Sequence, residues 1–309
     1  MKFSIIIPCK TLNKYAEESI SYILKQDYTD FEIILLPDNK IKQKFPKTRI
    51  IPTGPVHPSI KRNLAAEKAK GEILAFIDSD AYPQTNWLSN ALKYFKDQEI
   101  GIIGGPNLTP SSDSALQKAS GDILSSIFTG SSSARYRIST PRQVDELPSC
   151  NLFIRNSLFK KFKFDPKYLT AEDSKLCFQV KSSNKKIMYV PDLIVYHHRR
   201  ALFLPHLKQM FIYGRDIAWL IKESFSFNKL YYSILSIFVL YLIAGFILSF
   251  LNTEIKFFYL FSIISYLTIM LIYSLIFFNR SFLVFTGLIL THISYGLGFI
   301  YGVLKKNKK

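Results

Sequence analysis

The last quarter of the chain constrains its architecture most. From Leu230 onward charged residues nearly vanish until Lys305, the exceptions being Glu254, Lys256 and Arg280. These, with Asn252, Thr253, Asn279 and Ser281, cut the tail into apolar stretches at residues 230–251, 257–278 and 282–304, each 22 or 23 residues long. As helix each measures about 33 Å, matching a bilayer hydrocarbon core of roughly 30 Å. Three such runs in succession predict three transmembrane helices. The ordinary alternative, buried helices of a large soluble domain, rarely supplies three in a row.

Ahead of the tail, apolar runs and amphipathic segments alternate in the rhythm of an α/β domain. Strands are expected at 2–7, 31–36, near 49–51, at 74–77 and at 100–103, with helices at 13–25, at 59–69 behind Ser59 as cap, and at 86–95. This order implies a mostly parallel sheet with helices on both faces, whose carboxyl edge is where nucleotides bind. The strand ending at Ile77 delivers Asp78 and Asp80 to that edge. Two carboxylates flanking Ser79 suit a divalent cation that itself holds a diphosphate, although Asp and Ser are also ordinary turn formers. Asp38 leaves another strand at the same edge. Residues 111–143 read as less regular and Ser-rich, with Arg135 and Arg137 either as diphosphate partners on a flexible loop or as part of a surface excursion. A strand at 150–154, a basic turn or helix at 155–162 and a helix at 171–182 follow. That helix carries Glu172 and Asp173 in its first turn, where its dipole favours acids. Closing strands at 186–190 and 193–196 run into His197-His198-Arg199-Arg200.

Five segments, taken together and in order, resemble the inverting glycosyltransferases of family 2, which have the GT-A fold. They are Ser4-Ile-Ile-Ile-Pro8, Phe31-Glu-Ile-Ile-Leu-Leu-Pro-Asp38, Lys61-Arg62-Asn63 with Gly71-Glu-Ile, Asp78-Ser-Asp80, and Ala171-Glu172-Asp173 followed by Tyr196-His197. The resemblance covers about residues 1–225. It implies a nucleotide-sugar site built from Pro8, Asp38, Arg62, Asn63, Asp78, Asp80 and Arg199, with Asp38 on the base, Asp78 toward the ribose and Asp80 on Mg²⁺ or Mn²⁺. Pro37 stands where many members have a second Asp, which leaves the base contact to Asp38. His197 resembles the histidine that approaches the metal or diphosphate, with His198 as its competitor, since neighbours on a strand point to opposite faces. Asp173 matches the catalytic base, with Glu172 adjacent. Such a base must deprotonate an acceptor hydroxyl opposite the departing diphosphate, so in-line attack inverts the anomeric carbon. The Asp145-Glu146 pair is a further acidic candidate, for shaping the acceptor site.

Residues 204–223 place apolar side chains at spacings of three and four, with Tyr213 and Trp219 as interfacial anchors. The expected organisation is therefore a catalytic domain at 1–200, an amphipathic interfacial helix and linker at 201–229, and a transmembrane region at 230–309. The formal charge of +17, next to membrane spans, points to lipid headgroups rather than nucleic acid. The apolar run Phe3–Ile7 is too short for a signal sequence, so the catalytic domain is expected in the cytoplasm. Arg199, Arg200, Arg215, Lys222 and Lys229 agree with that under the positive-inside rule. Three full crossings, however, would leave Lys305-Lys306-Asn307-Lys308-Lys309 on the far side, against the same rule, so either the short tail is translocated anyway or one stretch does not cross, the last, with Gly287, His292, Gly296, Gly298 and Gly302, being the least ordinary. Cys9, Cys150 and Cys177 lack metal-ligand spacing and are expected to be reduced. The resulting expectation is a membrane-anchored transferase using a nucleotide-sugar donor and a lipid-linked or cell-surface glycan acceptor. Alternatives are a processive polysaccharide synthase and a non-catalytic membrane scaffold that keeps the fold.

Overall fold

The computed structural model describes residues 1–129, 135–223 and 227–305. In chain order its strands and α-helices are β1 (Phe3–Pro8), α1 (Lys14–Leu24), β2 (Phe31–Leu36), β3 (Thr48–Ile50), α2 (Pro58–Lys68), β4 (Ile73–Ile77), β5 (Ala81–Pro83), α3 (Trp87–Tyr94), β6 (Ile100–Gly104), β7 (Asn107–Leu108), α4 (Ala115–Ser125), β8 (Arg142–Gln143), β9 (Asn151–Arg155), α5 (Asn156–Phe162), α6 (Glu172–Ser182), β10 (Lys186–Tyr189), β11 (Val195–His197), α7 (Leu204–Glu223), α8 (Ile234–Leu248), α9 (Thr253–Ser274) and α10 (Ser281–Leu304). The chain divides into two compact units, Met1–Pro110 with Ala134–His198, and Ser111–Ser133 with Arg199–Lys309.

The first unit is built on an eight-stranded sheet in the order β3-β2-β1-β4-β9-β6-β10-β8. Every residue of β1 and β4 is buried, which is why both read as unbroken apolar runs rather than alternating ones. Their side chains feed two cores by simple alternation. Ile5, Ile7, Ala75 and Ile77 pack on one face with Ile20 and Ile23 of α1 and Trp87 and Leu88 of α3. Ile6, Leu74 and Phe76 pack on the other with Ala65 of α2, Phe159 of α5 and Leu176 of α6. Pairings β1–β2, β1–β4, β2–β3 and β6–β10 are parallel. β9, however, runs antiparallel between β4 and β6; its apolar content announces a strand but not a direction. Gly71 is required by close approach: a Cβ there would lie 2.5 Å from the Ser4 backbone nitrogen. A three-stranded sheet, β5-β11-β7, completes the unit. At α2 the capping group is the His57 imidazole, which accepts from the Ser59 amide at 3.3 Å, rather than Ser59.

In the second unit the supposedly irregular segment after Ser111 contains α4, closed by a capping box between Ser114 and Gln117. The apolar tail forms α8, α9 and α10, with a sharp break at Phe278 (φ +42°) before α10. α4, α7 and α10 form a packed base. Ala119 and Ile123 of α4 share a core with Leu202, Val284 and Leu288. His206 Nδ1 and Ser120 Oγ lie 2.6 Å apart, and His206 Nε2 and Thr291 Oγ1 2.9 Å, so one buried imidazole joins all three helices. α8 and α9 instead present apolar side chains outward, among them Phe246, Phe257, Phe258, Phe261 and Ile264.

Candidate active site

β4 ends at Ile77 in the middle of the large sheet, so Asp78 and Asp80 emerge at its carboxyl edge, as their place in the sequence requires. The chain then enters β5 at once. β5 pairs antiparallel with β11 in the register Ala81↔His197, and the His198 amide donates to the Asp80 carbonyl at 2.9 Å. This pairing decides between the two histidines. His197 Nε2 stands 3.2 Å from Asp80 Oδ1, whereas His198 points to the opposite face, where its Nε2 lies 2.8 Å from Glu18 Oε2 and its ring packs 4.3 Å from that of Tyr15.

Donor atoms of Asp78, Asp80 and His197 all lie within 4.8 Å of one another. A six-coordinate cation with ligands at about 2.1 Å spans about 4.2 Å between opposite donors, so small side-chain rotations suffice for these three to hold one. Two carboxylates and one imidazole suit a hard or borderline divalent ion. Burial opposes charge on His197, but Asp80, with help from the Cys150 thiol, outweighs it and pushes the imidazole up to about 10. A cation would replace that proton.

Arg62 sits one layer beneath. It is 4% exposed and forks between two acids, its Nη2 donating to Asp78 Oδ1 at 2.6 Å and its Nη1 to Glu172 Oε1 at 3.0 Å. Glu172, itself 5% exposed, is thereby a structural partner of Arg62, and burial followed by the adjacent Asp173 charge raises its pKa well above the carboxylate range. Asp173, next to it at the start of α6, is held differently. Its Oδ2 accepts from the Ser149 amide at 3.1 Å and its Oδ1 from its neighbour's amide, Ser174, at 2.8 Å. Burial raises its pKa too, against the lowering effect of Arg135. Beside it Glu146 accepts from Arg135 Nη2 at 2.7 Å and from Ser174 Oγ at 2.6 Å. That places Glu146 and Arg135 around the base candidate, while Asp145 turns outward to Lys181 and Arg137 offers its carbonyl to Tyr189.

The remaining expected residues divide. Pro8 ends β1 opposite Leu36, and Asp38 follows β2, its carboxylate paired with Lys61. Lys61 is 3% exposed and also donates to the carbonyls of Cys9 and Leu36, so it fastens the ends of β1 and β2 together. Sequence reasoning quoted Lys61 within the Lys61-Arg62-Asn63 segment but gave it no role; its burial against the carboxyl ends of β1 and β2 depends on tertiary packing. Asn63 is not delivered to the acids: its side chain donates to the Phe164 carbonyl at 2.9 Å and accepts from the Phe164 amide at 3.0 Å. One helical step past Arg62 turns it about 100° away. Arg199 belongs to the second unit, where its amide donates to Asp113 Oδ2 at 3.3 Å.

The family profile "Glycosyl transferase family 2" matches residues 4–162, more than half of the chain. Among curated relatives, the poly(ribitol-phosphate) beta-N-acetylglucosaminyltransferase TarS of Staphylococcus aureus is 29% identical over 119 residues, covering 33% of this chain and 20% of TarS. The minor teichoic acid biosynthesis protein GgaB of Bacillus subtilis is 24% identical over 214 residues, covering 64% of this chain and 23% of GgaB. The chain thus spans about a fifth of the length of these relatives. Among solved structures, the mannosyltransferase PcManGT from Pyrobaculum calidifontis, in complex with GDP-Man and Mn²⁺, superposes with a TM-score of 0.64 at 12% identity, over 95% of this chain and 86% of that one. The fold is GT-A, and the chain belongs to glycosyl transferase family 2, a family of glycosyltransferase enzymes.

Proposed function

We propose that the chain transfers a sugar, with inversion, from a nucleotide-sugar donor to a lipid-linked or cell-surface glycan acceptor, using a divalent cation and working at a membrane. The observation that carries this reading is the line of contacts from Asp80 and His197 through Asp78, Arg62 and Glu172 to Asp173. A cation held by Asp80 and His197, with Asp78 beside them, would offset the charge of the departing diphosphate. Asp38 takes the nucleotide base, and Arg62 holds Asp78 oriented by its hydrogen bond to Oδ1. Asp173 removes the acceptor proton; its raised pKa keeps it a stronger base than a solvated carboxylate while leaving it ionised near neutral pH. Glu146 and Arg135 flank that base and shape the acceptor side. The relatives whose names concern teichoic acids support a polymeric cell-envelope acceptor.

Two apolar helical regions long enough to cross a membrane, 230–248 and 253–304, support membrane anchoring. Their outward side chains form a surface that water would not tolerate as a monomer's exterior. With the basic residues near the first span, this supports an integral membrane protein with its catalytic side in the cytoplasm. The test is direct. Purified protein with Mn²⁺ or Mg²⁺ is mixed with a panel of nucleotide sugars and followed by thermal shift and by donor hydrolysis. Metal-dependent stabilisation by one nucleotide class supports the reading; absence of any donor binding, with the fold intact, overturns it in favour of a scaffold.

A further inference from the structure

We infer that only α8 and α9 cross the bilayer, and that α10 lies with α7 and α4 in the interfacial layer on the catalytic side, returning the end of the chain to that side. This rests on the membrane reading above and goes beyond it.

Contacts at the two ends of α10 fix its placement. At its N-terminal end Arg280 Nε donates to Asp122 Oδ2 of α4 at 2.7 Å. At its C-terminal end Trp219 Nε1 of α7 donates to the Lys305 carbonyl at 3.0 Å, and Lys222 Nζ donates to the Gly302 carbonyl at 3.1 Å. α4 and α7 both precede the first span-length apolar run in the sequence, so both lie on the catalytic face. A helix whose two ends are held on one face does not cross.

The contacts between those ends agree. Thr291 meets His206, Ser294 Oγ donates to the Leu207 carbonyl at 2.7 Å, and glycines close the gap further on. A Cβ on Gly298 would collide with the Phe211 backbone, and one on Gly302 with that of Arg215. Residue numbers rise together, so α7 and α10 run parallel and in contact over most of α7. α7 carries Lys208, Arg215, Asp216, Lys222 and Glu223, a load that a spanning helix does not bear; α10 is bound along it. Its outward side is an apolar stripe, Leu290, Leu297, Tyr301 and Leu304, which suits the boundary between headgroups and acyl chains.

α8 and α9 behave differently. The buried residues of α8 are Ser236 and Val239, near its start, and those of α9 are Met270 and Ser274, near its end. From Val239 to Leu251 the hairpin continues for about 18 Å. α9, with 22 residues, is about 33 Å long, enough to reach across a hydrocarbon core of roughly 30 Å. Two crossings also bring Lys305 to the side of Arg199 and Arg200, as the positive-inside rule asks.

Single substitutions Asn252→Cys in the hairpin loop, Lys305→Cys after α10 and Lys96→Cys on the α/β unit, each in the full chain, are labelled with a membrane-impermeant maleimide in right-side-out and inside-out vesicles. The native cysteines are all buried, which keeps background low, and Glu254→Cys replaces Asn252→Cys if loss of the α9 cap impairs folding. Labelling of positions 305 and 96 in the same vesicle orientation, with 252 labelled only in the other, is the expected result. Position 305 reacting with 252 and opposite to 96 overturns the inference while leaving membrane anchoring intact. All three positions reacting in one orientation, with the protein extracted by alkaline carbonate, removes the membrane reading itself.

Discussion

Replacing Arg62 by methionine keeps most of the side-chain volume and removes one charge from a fully enclosed position. Its two partners then face each other without compensation: Asp78 Oδ1 at 2.6 Å and Glu172 Oε1 at 3.0 Å both lose their donor. Glu172 is the worse placed, because it is 5% exposed and its Oε2 already has no hydrogen-bond partner. Removing one member of a buried ion pair costs about 3–5 kcal/mol. For a unit of this size each kcal/mol moves the midpoint by about 2–4 °C, so Arg62→Met is expected to lower Tm by about 6–20 °C at pH 8. The pH dependence has a definite sign. Glu172 has a folded pKa above its unfolded value, so the folded state holds the proton more tightly and stability rises as pH falls toward the unfolded value near 4.3. Arg62 is among the influences that lower that pKa; without it the pKa rises further. The gap between variant and parent therefore narrows from pH 8 to pH 5.5. Adding Glu172→Gln to the variant, which removes the stranded charge, recovers a large part of the loss. The assay is thermal unfolding of detergent-solubilised full chain at both pH values. A Tm within about 2 °C of the parent at pH 8, or a gap that widens as pH falls, would refute the assignment of Arg62 as the counter-charge of both acids.

Asp173→Asn is expected to lower transfer by about 10²–10⁴-fold while metal-dependent donor binding, read by calorimetry, stays as in the parent. Because burial raises the Asp173 pKa and the base works ionised, kcat/KM falls as pH drops through that raised value, so the acidic limb of the pH–rate profile lies above the range of a solvated carboxylate. His197→Ala and Asp80→Ala weaken Mn²⁺ binding, whereas His198→Ala, which loses contacts with Glu18 and the Tyr15 and Tyr82 rings, leaves the metal requirement unchanged; a metal titration of activity separates them. Metal affinity itself falls with decreasing pH, since the ion must displace a proton from His197, and titration at pH 6.5 and 8 measures this. Asn63→Ala breaks two hydrogen bonds to Phe164 and is expected to cost about 1–3 kcal/mol of stability without altering KM for the donor.

Much of the α/β unit was legible because its constraints are local. β1, β2 and β4 are apolar runs bounded by turn residues, and α1 falls where the amphipathic pattern put it, with Asn13 as its N-cap accepting from the Ala16 amide at 3.0 Å. Asp78 and Asp80 reach the sheet edge because a parallel central strand leaves them no other exit. What was not legible depends on pairing between distant segments. The direction of β9, the choice of His197 over His198, and the diversion of Asn63 to Phe164 each follow from which backbone lies alongside, between 50 and 116 residues away in the chain, and a one-residue slip in β11 would reverse the histidines. The segment after Ser111 failed for a related reason. α4 is short and Ser-rich, and its apolar residues Ala119 and Ile123 acquire a purpose only against Val284 and Leu288.

The separation between Asp78 and Glu172, nearly a hundred residues in sequence, explains why a buried arginine joins them. In the proposed reaction, donor-side chemistry needs acids at the exit of β4, and proton removal needs an acid on the opposite side of the sugar, the role proposed for Asp173 at the start of α6. These elements lie in different parts of the sheet, and nothing in strand pairing sets the distance between their carboxylates. Arg62 does so with two charge-assisted hydrogen bonds from one rigid fork, a geometry that lysine, with a single point charge, cannot reproduce. Lys61, the preceding residue of α2, fixes Asp38 to the ends of β1 and β2 in the same way. One turn of α2 therefore ties Asp38 and Asp78, the acids proposed for the donor side, to Glu172, the neighbour of the proposed base Asp173. It follows that Arg62→Lys, although it keeps the charge, should lower kcat more than it raises the KM for the donor, because the loss is in alignment rather than in binding.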